Sequence, residues 1–173
     1  MSKGAWSYPP DARFDEAART VLEAGFRKMM DNLPATVEGL RLSHPSPEGV
    51  LALHDMRVGS RRLRAALEVF QGVLPAGVRR RIRKSVRDVT RGLGVVRDLD
   101  VQIEALRSIA DALPENEAYG VERVIVRVSK QREKFRHDLV DQLHGLDSGT
   151  FRTDFLEAMD SLPTCPPIAP EGG

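Results

Sequence analysis

HDMRVGSRRLRAALEVF, residues 54–70, sorts its apolar and charged side chains cleanly when wound as an α-helix. At 100° per residue Met56, Ser60, Leu63, Leu67 and Phe70 share one side, the spacing of a buried face. His54, Arg57, Arg61 and Arg64 follow i, i+3, i+7, i+10 spacing and form a stripe within roughly 80° of arc, centred about 120° from the apolar face. The stripe therefore flanks the core, while Arg62 points elsewhere. Like charges on adjacent turns repel by about 0.2–0.5 kcal/mol per pair, and Glu68 is the one carboxylate placed to offset them. Such an array calls for an external partner. Guanidinium groups favour oxyanions they can grip with two parallel hydrogen bonds, which makes phosphate the leading candidate. His54, at the head of the stripe, can serve as a neutral hydrogen-bonding ring or add its charge to the array. The bland alternative is a solvated charged face.

The next segment repeats the theme. Val78, Ile82, Val86, Val89, Leu93 and Val96 keep helical spacing, and the pattern continues through Ile103, Leu106, Ala110 and Leu113. Its apolar direction turns by roughly 100° after Val96, just past Gly92 and Gly94, which predicts a kink or break there. Arg79, Arg83, Arg87 and Arg97 lie beside the apolar face in a second cationic stripe, whereas Arg80, Lys84 and Arg91 point away from the core. Packed antiparallel about 8–10 Å apart, the two helices would set both stripes along one groove. Turns of helix succeed each other every 5.4 Å or so, a spacing suited to a linear polyanion. Charge is concentrated to match: residues 54–97 hold twelve Lys/Arg against Asp55, Glu68 and Asp88, while the whole chain is only +1.

Strand signals are scarce elsewhere. VERVIVRV, residues 121–128, alternates like a strand but sits inside a long run of helix formers with no partner strand, so it is assigned to a helix over 115–146. A first helix is expected over 11–33, with Phe14, Ala18, Val21, Gly25, Met29 and Leu33 on one side and Pro34 closing it. SHPSPEG, residues 43–49, is a loop, the second helix runs from Pro47 or Glu48 to about Gly72, and LPAG, residues 74–77, is a turn. A short helix over 150–161 comes last. The expected fold is all-α, an antiparallel four-helix bundle with a short additional helix over 11–162, between a flexible N-terminus, 1–10, and a disordered Pro/Gly-rich tail, 163–173.

Composition narrows the classes. At 173 residues, 41% hydrophobic and 29% charged, the chain suits one domain with its own core. A lone Cys165 excludes a disulfide scaffold and fits a reducing compartment. The first residues lack a signal peptide's apolar run, and nothing approaches the roughly 18 apolar residues of a membrane span, so a cytoplasmic protein without membrane contact is expected. Six Phe, two Tyr and one Trp give few platforms for stacking bases, which argues against nucleic acid as the partner.

Other constellations have ordinary explanations. Asp98 and Asp100 could ligate Mg²⁺ beside a phosphate chain, but such residues more often cap a helix or hold an arginine such as Arg97. Glu133, His137 and Asp141, with His144 a turn further, have metal-ligand spacing on a helix, yet an exposed polar face needs no metal. His44 lies in a loop with no partner by sequence, and Gly59 and Ser60 are read as small residues for close helix packing. GLG, residues 92–94, lacks the strand and third glycine of a dinucleotide loop. No nucleophile–base order or Walker loop is present, so no catalytic residue, resident metal or cofactor is assigned.

HxxRVxxRRLRxxLxxF, residues 54–70, followed by LGxxRDLDV, residues 93–101, resembles the CHAD domain, the conserved histidine α-helical domain. The resemblance extends loosely from the first helix to residues 146–159 and leaves the tails outside. It implies a helical domain that binds inorganic polyphosphate through a basic channel, without catalysis, and that can localise to polyphosphate granules. Residues matching the motif are His54, Arg57, Arg61, Arg62, Arg64, Arg87 and Arg97; Arg79 and Arg83 come from helix geometry alone. Family members usually carry two tandem bundles, each with its own His/Arg helix, whereas this chain has one. It resembles half a CHAD domain, and a homodimer completing the double bundle is the expected assembly. The alternative function is a helical module binding nucleic-acid backbone or an acidic protein.

Overall fold

The computed structural model describes residues 12–42 and 46–164. Six helices follow in order: α1 Phe14–Asp31, α2 Leu33–Arg41, α3 Pro47–Val69, α4 Ala76–Asp111, α5 Glu115–Ser148 and α6 Phe151–Asp160. No strand occurs among the described residues, and residues 121–128 are helical as their flanks predict. The expected flexible N-terminus, the loop holding His44 and the tail with Cys165 lie largely or wholly outside the described residues.

Pro34 does not close the first helix. The α1 helix ends at Asp31, Asn32 makes the turn, and Pro34 stands in the first turn of α2. A proline suits that position because the first amides of a helix have no intrahelical acceptor to lose. Ser46 opens α3 by accepting a hydrogen bond from the Gly49 N–H at 3.2 Å, with Pro47 behind it in the same first-turn role. The break expected near Gly94 is absent: α4 is continuous for 36 residues. Ile82, Val86, Val89, Leu93, Val96, Leu99 and Ile103 are buried along it, so the turn in apolar direction is a change of neighbours along one helix.

The main helices pack antiparallel, and small residues set two of the approaches. A Cβ on Gly25 would meet the Leu63 Cα at 3.1 Å, and one on Gly59 would meet the Met29 N at 2.8 Å, so α1 and α3 touch backbone to backbone. Ser60 is fully buried beside that contact and donates to the Arg57 carbonyl at 3.0 Å. The core gathers Leu22, Met29, Met56, Leu63, Ile82 and Leu143, and α6 joins it through Phe155, whose ring stacks on Phe26 at 4.0 Å. The outer end of the α4–α5 hairpin is different: between Glu104 and Gln131 only Ala118 is buried.

Candidate functional site

Antiparallel packing brings the two cationic stripes to one seam. Glu68 on α3 meets Arg83 on α4 at 2.5 Å, and the Arg79 guanidinium donates to the Gln71 carbonyl. Toward the start of α3, His54 and Arg57 line one cavity with Arg97 of α4. The two stripes differ in occupancy. On α4, Arg79 is held by Gln71, Arg83 by Glu68, and Arg87 by Asp88 at 3.3 Å. Glu68 thus serves the opposite wall rather than its own stripe. On α3, the side chains of His54, Arg57, Arg61 and Arg64 have no hydrogen bond or ion pair among the described residues. Arg61, Arg62 and Arg64 are exposed, while Arg57 is half-buried.

At its α3 N-terminal end the seam opens into a cavity of about 760 Å³ between α2, α3, α4 and α5. His54 and three arginines, Arg57, Arg97 and Arg107, line it. Asp100, Glu104 and Glu133 bring carboxylates, and Leu40, Val50, Leu51, Leu53 and Ile103 supply an apolar wall. The end of α2 reaches this wall because two glycines meet there; a Cβ on Gly39 would lie 2.9 Å from the Gly49 Cα.

Two of the carboxylates are already committed. Arg132, only 6% exposed, places Nε 2.8 Å from Asp100 Oδ1 and Nη1 2.9 Å from Glu133 Oε1. Arg136 holds the other Glu133 oxygen at 2.7 Å and donates from Nη1 to the Leu40 carbonyl, satisfying one of the acceptors left open at the end of α2. Burial pulls the Arg132 pKa down, but Asp100 and Glu133 more than compensate and hold it above the ordinary value. Burial likewise pushes the Glu133 carboxyl up, and Arg136 and Arg132 outweigh that, leaving it below the usual carboxylate range. Both groups stay ionised at neutral pH. This paired network braces α2, α4 and α5 behind the cavity and leaves Arg57, Arg97 and Arg107 with unanswered charge beside the His54 ring.

The sequence-derived site residues thus divide. His54, Arg57 and Arg97 converge on the cavity, Arg61, Arg62 and Arg64 are exposed on α3, and Arg79, Arg83 and Arg87 are engaged by the chain itself. Asp100 holds an arginine, but the arginine is Arg132 rather than Arg97, and it caps nothing because α4 runs straight through it. Arg107 and Arg132 escaped the sequence reading because each belongs to a face defined only by a neighbouring helix. Glu133 is gripped by arginines, His137 Nε2 lies 3.4 Å from Arg136 Nη2, and His144 Nε2 lies 3.2 Å from Arg41 Nη2. Among the described residues no three His, Cys, Asp or Glu side chains gather as a metal site would require, and no helix is long and apolar enough to cross a membrane.

No curated protein matches the chain. The family model described as the CHAD domain matches residues 20–172. That span takes in nearly all of the helical bundle and continues into the C-terminal tail, which the motif resemblance had left outside. Carried over that much of the chain, the match establishes that this protein belongs to the CHAD domain family.

Proposed function

We propose that the protein binds inorganic polyphosphate along the α3–α4 seam and does not act on it chemically. The observation that carries this reading is the row of His54, Arg57, Arg61 and Arg64, spaced by successive turns and without a hydrogen bond or ion pair among the described residues, whose first two members share a cavity with Arg97 of the second arginine-bearing helix. A chain carrying a negative charge on every unit can answer each of these cations in turn, which a single ion cannot. Membership of a family known for polyphosphate binding supports the same ligand. Affinity rises with chain length until the seam is spanned, and falls steeply with salt as condensed counterions are released.

The described residues contain one His/Arg helix, so a homodimer is proposed, in which a second copy across a twofold axis supplies the other half of the channel. The proposed location is the cytoplasm, in association with polyphosphate granules.

The test is competition of long polyphosphate against duplex DNA, single-stranded RNA and orthophosphate at physiological salt, with light scattering on the same samples. Tight, length-dependent preference for polyphosphate by a dimer, with polymer length unchanged after incubation, is the expected result. Equal binding of nucleic acid would make the seam a general phosphate patch, and shortened polymer would make the protein an enzyme. A strictly monomeric species that still binds tightly would remove the homodimer.

A further inference from the structure

A linear phosphate chain is polar along its whole length and gains nothing from an apolar wall. Yet the cavity at the head of the seam sets Leu40, Val50, Leu51, Leu53 and Ile103 beside His54 and three unpaired arginines. Val50 and Leu51 stay 46% and 61% exposed, so apolar surface is held open beside a concentration of charge. The cavity volume, about 760 Å³, lies within the range of small-molecule sites, roughly 300–1,000 Å³.

Glu104 is the second observation. This exposed residue lines the same cavity and, unlike those of Asp100 and Glu133, its carboxylate has no hydrogen bond or ion pair among the described residues. Toward a bare polyphosphate it is only repulsive. Toward a ligand that also carries hydroxyl or amino groups it is an acceptor.

We infer that this cavity is a site for a nucleoside polyphosphate, with the phosphoryl groups on His54, Arg57, Arg97 and Arg107, the nucleoside against Val50, Leu51 and Ile103, and Glu104 accepting from its hydroxyl or amino groups. The inference rests on the phosphate-binding reading for the cations it shares with the seam; the apolar wall and Glu104 carry the rest. With the arginines taken by the phosphoryl groups, the nucleoside is held by the apolar wall and Glu104, without an aromatic side chain.

The experiment compares ATP with inorganic tripolyphosphate by isothermal titration, magnesium omitted, so that the polyphosphate portion is matched and the nucleoside is the difference. Covering roughly 60 Å² of apolar surface corresponds to about tenfold in affinity, so ATP is expected to bind about tenfold more tightly than tripolyphosphate. Leu51→Gln keeps a helix-forming residue at an exposed position; it should erase that advantage and leave tripolyphosphate unchanged. Glu104→Gln should narrow the gap by strengthening tripolyphosphate. Tripolyphosphate binding as well as ATP to the unmodified protein, or Leu51→Gln weakening both alike, overturns the inference. A parallel titration with long polyphosphate separates the two proposals: long polymer without ATP binding sinks the nucleotide site and leaves the seam standing, and ATP without long polymer does the reverse.

Discussion

Arg132 and Arg57 line the same cavity in opposite electrostatic condition. Arg132 is buried and divided between Asp100 and Glu133, with Arg136 completing the grip on Glu133 and reaching back to α2. Arg57, like Arg97 and Arg107, has no carboxylate to answer it among the described residues. Residue type and location are the same, so neither could separate the two groups; the difference is whether the fold has already spent the charge. A saturated guanidinium is a brace. An unanswered one is an available binding group, kept available by the brace behind it.

The largest effect should come from cutting the brace. Arg132→Ala leaves Asp100 and Glu133 with a lost partner and should lower the unfolding free energy by about 3 kcal/mol, the low end for a broken buried pair because both carboxylates keep some water. Arg57→Ala should move it by no more than about 0.5 kcal/mol. Denaturant melts measure both, and equal losses would dissolve the distinction. Next in size, Arg61→Ala and Arg64→Ala should each weaken long-polyphosphate binding by about tenfold, the worth of a charge-assisted hydrogen bond, with helical circular dichroism unchanged. Arg80→Ala, on the outward face, should do far less, and three equal losses would indicate diffuse attraction with no defined seam.

A smaller effect separates the groups by pH. The Glu133 carboxyl is held below its ordinary value of 4.5, so its contribution to stability is complete above that pH and is lost as pH falls through the depressed folded value. Acid melts should show this slope, and Glu133→Gln should remove it; an unaltered slope would place the acid sensitivity elsewhere. Smallest is Gly94→Ala, where an added Cβ meets nothing within 4 Å. Relief of the glycine penalty in a helix interior should raise stability by up to about 1 kcal/mol. A loss of polyphosphate affinity in that variant would mean that the polymer lies directly over Gly94.

What could be read from the chain follows from how local each signal is. The α3 stripe and its buried side depend on 3.6-residue spacing alone, and Met56, Leu63 and Leu67 are buried as that spacing requires. The meeting of His54 and Arg57 with Arg97 at one cavity needed only the antiparallel assumption. Pro34 misled because proline both ends one helix and opens another, and nine residues of α2 are too few for periodicity to arbitrate. Gly92 and Gly94 misled because α4 exchanges neighbours partway along, so its apolar face rotates without interrupting the backbone ladder. The network of Asp100, Arg132 and Glu133 joins positions 32 residues apart in sequence, and the spent condition of Arg79, Arg83 and Arg87 depends on single acceptors; neither leaves a periodic trace.

The continuity of α4 has a consequence for the thermodynamics of assembly. Thirty-six residues of unbroken helix form a rod of about 54 Å, with side chains on one face recurring at intervals of about 5.4 Å before any ligand arrives. A hinge at Gly94 would have let seam and cavity find their spacing on contact, at the cost of freezing a backbone motion. An unbroken helix instead holds that spacing through its own backbone hydrogen bonds. The ordering entropy of complex formation therefore falls on the flexible polymer and on the arginine rotamers, and the protein enters the encounter preorganised.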